Sequence, residues 1–195
     1  MRVIGALFLA GVLSLPATAE TFLGVTLGAP IPEGLPAPDD IQTQAPFTRT
    51  FWAARDGVQV TAIADGETGE VVFVELRPAD SGPVAAQTPG LIFGQTTRAD
   101  LHARFGSEGI VFETIGRAGV FGEVAAYFTS YEIEGDDIVV SFVTIEPLAD
   151  ATDGSDAGST LDSIVVAQGG YLTQVWGINR GRLPGYAPIP DPFAD

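Results

Sequence analysis

One side chain in this sequence has a reference pKa, about 6.5, close to neutrality. It belongs to His102, the single histidine of the chain. This residue is therefore the natural candidate for a general base. A base also needs a nucleophile to activate or a carboxylate to orient it, and the neighbouring Arg98 and Ala99 supply neither. Cysteine is absent, which excludes thiolate nucleophiles, disulfides and zinc–thiolate sites. We therefore expect His102 to be a solvated surface residue, and the sequence predicts no catalytic residue.

The loop from Asp150 to Asp162 is the strongest candidate for a metal site, because calcium prefers several oxygen ligands on one flexible loop. Its spacing departs from the EF-hand pattern, since counting from Asp153 the fifth position is Ala157 and the twelfth is Ile164. We interpret it as a solvated acidic loop. No glycine-rich phosphate loop occurs and lysine is absent, so the sequence predicts no metal and no cofactor.

Paired carboxylates of the kind that hydrolyse glycosides also occur in the chain. The pairs are Asp39 with Asp40, Asp136 with Asp137, and Glu132 with Glu134. Two of them fall at predicted turns, where solvation accounts for acidic residues. We therefore assign them no catalytic role.

The charge balance is strongly acidic. Nine arginines face 25 acidic residues, which gives a net charge of −16 and makes nucleic acid and anionic membranes poor partners. No basic residue lies between Arg117 and Arg180, and the acidic residues in that interval predict a negative rim on the second half of the protein. These residues are Glu123, Glu132, Glu134, Asp136, Asp137, Glu146, Asp150, Asp153, Asp156 and Asp162.

Aromatic residues and arginines, the types enriched at interface hot spots, follow this acidic interval. They are Tyr171, Trp176, Arg180, Arg182 and Tyr186. One hypothesis is that this cluster contacts a protein partner. The alternative is that the tail docks back onto the acidic sheet of its own chain.

The first 19 residues predict a bacterial signal peptide. Arg2 precedes an apolar run from Val3 to Leu15, and small residues before Ala19 form a cleavage pattern. We expect cleavage after Ala19 and a periplasmic or secreted protein, with no later apolar stretch long enough to span a membrane. With no cysteine, the lipid anchor of bacterial lipoproteins is excluded.

Turn residues and apolar alternation divide the rest of the chain. The sequence predicts a β-rich unit at 20–78 with a proline-rich, extended start, a linker at 79–90, a second unit at 91–178 and a proline-rich tail at 179–195. Strands are expected at 48–54, 58–64, 70–77, 110–114, 123–133, 137–146, 161–167 and 171–176, and a capped helix at 98–105. The fold class is α+β, dominated by antiparallel sheet with one or two short helices, as two tandem related units or as one continuous sheet.

A short pattern recurs in the chain. Phe22-Leu23-Gly24-Val25-Thr26 returns as Ile92-Phe93-Gly94-Gln95-Thr96 at the start of the second unit. Residues 94–106 also resemble the helix-opening pattern of the SmpA/BamE outer-membrane assembly lipoproteins and of β-lactamase inhibitory protein. The resemblance implies short helices packed on an antiparallel sheet and a role in protein–protein contact without catalysis. The inhibitory proteins contain two tandem copies of the pattern.

Together these patterns favour an exported, soluble, non-catalytic protein that binds another protein of the bacterial envelope. The alternative is a periplasmic small-ligand binding protein or an enzyme of an unrecognised class, with its pocket between the two units. A titratable residue with a shifted pKa inside one cleft would favour this alternative.

Overall fold

The computed structural model describes residues 21–80, 82–106, 109–151, 158–179 and 186–194. Its strands are β1 (Thr21–Phe22), β2 (Val25–Thr26), β3 (Asp40–Gln44), β4 (Phe47–Arg55), β5 (Val58–Asp65), β6 (Val71–Pro78), β7 (Val84–Ala85), β8 (Ile92–Phe93), β9 (Val111–Phe112), β10 (Ala118–Phe121), β11 (Val124–Glu132), β12 (Ile138–Pro147), β13 (Thr160–Gln168) and β14 (Ile178–Asn179). The helices are α1 (Arg98–Phe105) and α2 (Gly169–Val175). The expectation of a sheet-dominated α+β fold is confirmed. Within the described ranges, no helix is long and apolar enough to cross a membrane.

Eight strands form one antiparallel sheet in the order β10-β11-β12-β13-β6-β5-β4-β3. Each half of it is a four-stranded meander, and the halves join where β6 pairs with β13. This pairing sets Leu76 opposite Ile164, Glu75 opposite Val165, Val74 opposite Val166 and Phe73 opposite Ala167. The sheet therefore runs without interruption through segments from both of the units expected from the sequence.

Local turn chemistry places the long hairpins where the sequence predicts them. Asp56 and Gly57 both have positive φ, 51° and 80°, and connect β4 to β5. At the next turn, the Asp65 carboxylate accepts hydrogen bonds from the backbone N–H groups of Glu67 and Thr68, which lower the pKa of Asp65. Turns of this kind are specified by the residues within them, so the hairpins can be predicted from the sequence.

Helix α1 has the bounds predicted for it. The Thr97 hydroxyl accepts the Asp100 N–H at 3.1 Å and the Asp100 carboxylate accepts the Thr97 N–H at 2.9 Å, which completes a capping box. Leu101 is fully buried, and Phe105 stacks on Phe142 with ring centroids 5.0 Å apart. These contacts fix the helix on one face of the sheet, which we call the closed face.

The closed face is covered by three separate segments of the chain. The first carries Phe22, the second carries α1, and the third is the C-terminal segment. In the last of these, the Ile189 N–H donates to the Glu132 carbonyl and the Ile189 carbonyl accepts the Glu134 N–H. Phe193 then packs edge-on against Phe22 at 5.0 Å. The described part of the tail thus docks on its own chain.

The opposite face, which we call the open face, is only partly covered. A strip made of α2, β9 and β14 crosses its centre, where Phe112 and Leu172 pack on Phe73, Val165 and Ala167. On either side of this strip, the described residues leave a groove in the sheet surface.

Matched hydrogen bonds anchor the segments that precede each half of the sheet. The Gly28 N–H donates to the carbonyl of Val71 at the start of β6, and the Gly94 N–H donates to the carbonyl of Leu161 near the start of β13, both at 2.8 Å. Gly28 and Gly94 thus make the same kind of backbone contact, each with a residue at or near the start of a central strand.

One expectation about secondary structure is wrong. Residues 171–176 were expected to form a strand, but Tyr171–Val175 belong to α2, because Asp137 from another turn bonds the first amides of that helix. The segment expected to be mostly extended coil also contains the edge strand β3. The segment predicted as a linker, 79–90, contains the two-residue strand β7, which pairs with β8, and its role as a linker stays a prediction. The strand β10 was not predicted, because it is a short edge strand.

Candidate functional site

The open face carries a groove of about 470 Å³ between the central strip and strands β10 and β11. We call it the main groove. It is lined by Phe73, Glu75, Arg77, Ile115, Phe121, Val124, Ala126, Phe128, Val143, Ile145, Asp162, Ser163, Val165 and Trp176.

Strand alternation explains why these side chains meet. On β6, Val74 and Leu76 belong to the core under the closed face, so Phe73, Glu75 and Arg77 point to the other side. The pairing of β11 with β12 sets Phe128 opposite Val143, and both line the groove. The floor of the groove is therefore apolar, and its polar groups are confined to one end.

That polar end is built from both halves of the sheet. Arg77 on β6 forms an ion pair with Asp162 on β13. Glu75 lies beside them and is largely removed from water; burial raises the pKa of its carboxyl, while Arg77 and a hydrogen bond with Ser163 partly oppose the shift. The groove thus combines an apolar floor with one half-buried carboxyl and one ion pair.

The chemistry of this arrangement suits binding. The groups at its polar end are a carboxyl, a guanidinium already paired, a second carboxylate and a hydroxyl. Across the described ranges, no three His, Asp or Glu side chains lie close enough together to hold a metal ion. A ligand group with an apolar body and one polar head matches the lining.

A second groove, of about 430 Å³, lies on the other side of the central strip. Phe47 packs edge-on against Tyr171 there, with ring centroids 5.0 Å apart. Its rim is polar, with Gln42, Gln44 and Arg49 along β3 and β4. The two grooves therefore differ in chemistry although they flank the same helix.

The cluster proposed from the sequence as a partner contact is partly brought together. Trp176 lines the main groove and Tyr171 lines the second one. The Tyr186 hydroxyl donates to the Glu132 carboxylate at 3.0 Å, which ties it to the protein's own β11. Arg180 and Arg182 lie outside the described residues. The role of this cluster in partner binding stays a prediction.

The candidates for catalysis and metal binding lie elsewhere. His102 is half-buried on α1, which packs on the closed face, away from the main groove. Residues 152–157 of the acidic loop lie outside the described residues, and Asp162 at its end pairs with Arg77. Among the paired carboxylates, Asp39 accepts the Ala53 N–H at 2.7 Å. Asp137 accepts the N–H of Gly170 at 3.1 Å. Both have structural partners.

The expected acidic rim needs one correction, at Glu146. This residue is only 4% exposed, and its carboxylate accepts a hydrogen bond from the Tyr127 hydroxyl at 2.6 Å. Gly158 makes room for it, since a Cβ there would lie 2.6 Å from the carboxylate. The strand β12 points Glu146 to the closed face, so it does not contribute to a solvated rim. Asp153 and Asp156 lie outside the described residues.

Sequence reasoning missed Glu75 and Arg77. The alternation of side chains along a strand could have identified them. They follow Phe73 at every second position of β6, so all three side chains lie on the same face of the sheet. A carboxyl on the same face as a buried phenylalanine in a central strand is a candidate site residue.

Comparison with known proteins adds no relative. The chain matches no protein-family model, no curated protein and no solved structure. The resemblance of residues 94–106 to two families therefore stays a prediction.

Proposed function

We propose that this chain is an exported, non-catalytic protein of the bacterial envelope that binds a protein partner on the open face of its sheet. The observation that carries the proposal is the main groove. Three segments cover the closed face, whereas the exposed Phe121 and the partly exposed Phe128 line a groove on the open face that the described residues leave open. Contiguous exposed apolar surface of this kind marks interaction sites in soluble proteins.

The composition of the groove supports a protein partner. Phe121 is 57% exposed at its rim, and Trp176 forms part of its wall. Large aromatic side chains anchor protein interfaces because they bury much area at little cost in side-chain entropy. The net charge of −16 favours a basic partner, since opposite charge speeds association.

A second candidate function is the binding of a free small molecule. The volume of the main groove lies within the range of about 300–1,000 Å³ that ligand pockets occupy. The raised pKa of Glu75 inside it is the kind of observation that favours this candidate.

We further propose that the two halves of the sheet are related copies. The matched bonds of Gly28 and Gly94, and the pairing of β6 with β13 around Glu75 and Val165, support this relation. It would make the main groove a site created where two copies join.

Site-specific photocrosslinking in the native cells tests the protein-binding proposal. A photoreactive benzoyl-phenylalanine replaces Phe121, and in the matched control it replaces Val120. The two residues are neighbours on β10, both well exposed, at 57% and 62%, but only Phe121 lines the groove.

We expect one protein adduct from position 121 that position 120 does not give, identified by mass spectrometry of the crosslinked species. Filling the groove by Val143→Phe should reduce that adduct. No adduct at position 121, or the same adducts at both positions, would contradict protein binding at this face and leave the small-molecule candidate to be screened.

A further inference from the structure

The charges at the polar end of the main groove do not balance. Arg77 and Asp162 form one ion pair, and Arg49, the other cation that acts on Glu75, lies 3.5 Å from the Asp40 carboxylate. Once these two pairs are matched, the described residues hold no further cation paired with the Glu75 carboxyl. The groove therefore presents one unmatched acidic group at the end of an apolar floor.

An anionic or purely apolar occupant suits this end poorly. An anion would lie close to both Glu75 and Asp162, which repel it. An apolar group would remove water from Glu75 without replacing its interactions, which is costly for a charged carboxylate. A cation would instead pair with it, in a surrounding where water screens the interaction little.

The walls of the groove suit a cation as well. Phe73, Phe121, Phe128 and Trp176 all line it, and the rings of Phe73 and Trp176 stand at 90° to each other with centroids 6.3 Å apart. Aromatic faces attract cations that lie within about 6 Å of the ring centre. The methylene stem of a long basic side chain also packs well on such rings.

Resting on the protein-binding function proposed above, we propose that the main groove receives a lysine side chain of the partner, with its ammonium group at Glu75 and its stem against the aromatic wall. The volume of about 470 Å³ exceeds one side chain, so apolar residues flank this lysine in the partner. Lysine thus serves as the anchor and its neighbours fill the rest of the groove.

Short capped peptides test this inference without the partner. The probe is acetyl-Leu-Lys-Leu-amide. Its controls replace lysine by norleucine, which has a similar stem without the ammonium group, and by glutamate. Binding is followed by two-dimensional amide NMR on the full mature chain. The protein has two tryptophans, so the indole signal of Trp176 reports on the groove, and that of the buried Trp52 in the closed-face core reports on unrelated effects.

We expect the lysine peptide to shift the Trp176 indole signal and to leave the Trp52 signal in place. The norleucine and glutamate peptides should bind at least roughly tenfold more weakly, as expected for the loss of one charge-assisted contact. Glu75→Gln should weaken the lysine peptide by a similar factor. The matched control Glu67→Gln removes one negative charge from an exposed turn and should leave the affinity unchanged.

Equal binding of the lysine and norleucine peptides would overturn the inference, and so would an unchanged affinity of Glu75→Gln. The two proposals can fail separately. A partner captured at position 121 whose binding does not depend on a lysine would refute the lysine anchor and leave the protein-binding function standing. A lysine peptide that binds through Glu75, with no partner captured, would support the cation chemistry of the groove and refute the protein partner.

Discussion

Two tyrosines on β11 should respond in opposite directions to the same small change. Tyr127 and Tyr131 lie four residues apart on that strand, and their side chains both point to the closed face. Removing a hydroxyl by Tyr→Phe keeps the ring and most of its packing. The difference between the two variants therefore isolates what each hydroxyl does.

The Tyr127 hydroxyl donates a hydrogen bond of 2.6 Å to Glu146, a carboxylate that is 4% exposed. Hydrogen bonds to charged groups contribute about 1.5–3 kcal/mol, and a buried acceptor left without its donor costs about as much. The Arg98 guanidinium lies 4.0 Å above the Tyr127 ring, and Phe at this position would preserve that contact. We expect Tyr127→Phe to lower the free energy of unfolding by about 2 kcal/mol.

The Tyr131 hydroxyl is in the opposite situation. Tyr131 is 1% exposed, and within the described parts of the chain its hydroxyl has no hydrogen-bond partner. Burial raises the pKa of Tyr131 to about 12, although Arg117 acts against the shift. An unpaired buried hydroxyl costs about 1–3 kcal/mol, so its removal should leave the protein unchanged or up to about 1 kcal/mol more stable.

Thermal and urea unfolding of the two variants and the wild type measures this contrast. At this chain length, 1 kcal/mol corresponds to roughly 2–4 °C in Tm. Tyr127→Phe should melt about 4–8 °C below the wild type, and Tyr131→Phe at or above it. Equal losses in both variants would refute the reasoning, because they would show that ring packing rather than hydroxyl pairing determines the effect.

Two further predictions concern a pKa and a helix cap. The pKa of Glu75 in the folded protein is raised above its ordinary value of 4.5. Between these two pKa values the folded protein binds more protons than the unfolded one, so the free energy of unfolding falls as the pH rises through this range. The glutamine of Glu75→Gln does not titrate. The Tm of this variant minus the Tm of the wild type should therefore increase from pH 4 upward and level off above the raised pKa. A Tm difference that decreases with pH would contradict the raised pKa of Glu75. Thr97→Ala removes the side-chain cap of α1 and should lower the free energy of unfolding, measured with urea, by about 1 kcal/mol. Thr97→Ser keeps a capping hydroxyl and should retain most of that free energy. Equal losses in the two variants would contradict the role of the cap.

A structural feature of this fold can be predicted from the sequence when the residues that interact to form it are close together in the chain. The capping box of α1 consists of Thr97 and Asp100, three residues apart, and the predicted bounds of that helix agree with the structure. The hairpin turns at Asp56-Gly57 and at Asp65 likewise contain their own hydrogen-bonding groups or their own positive φ. Patterns of this kind need no knowledge of the rest of the chain.

Helix α2 shows the opposite case. It begins with Gly169 and Gly170, which are poor helix formers, and three of its other five residues, Tyr171, Thr173 and Val175, favour strands. Asp137, 33 residues before Gly170, bonds the amides of both glycines, and a Cβ at Gly169 would lie 2.4 Å from its carboxylate. The glycines therefore fit a contact with a distant turn, which local propensity does not reveal.

The main groove depends on distant pairing in the same way. Alternation along β6 suffices to place Glu75 on the same face as Phe73, but the sequence does not indicate that β6 pairs with β13. That pairing brings Asp162 to Arg77 and Ser163 to Glu75. The candidate site was therefore predictable as a face of one strand and not as a groove.

The join between the two halves also determines how a partner can bind. If the two halves are related copies, as we propose, the antiparallel pairing of β6 with β13 would by itself offer a partner two equivalent orientations. Two features remove that equivalence. In the pair of Glu75 with Val165, one side chain is a carboxyl and the other is apolar. The chain after β13 forms α2 on the open face, whereas the segment after β6 packs Phe93 into the closed-face core. A basic partner bound as we propose would therefore meet one apolar groove with an acidic end and one polar groove, and so would bind in a single orientation.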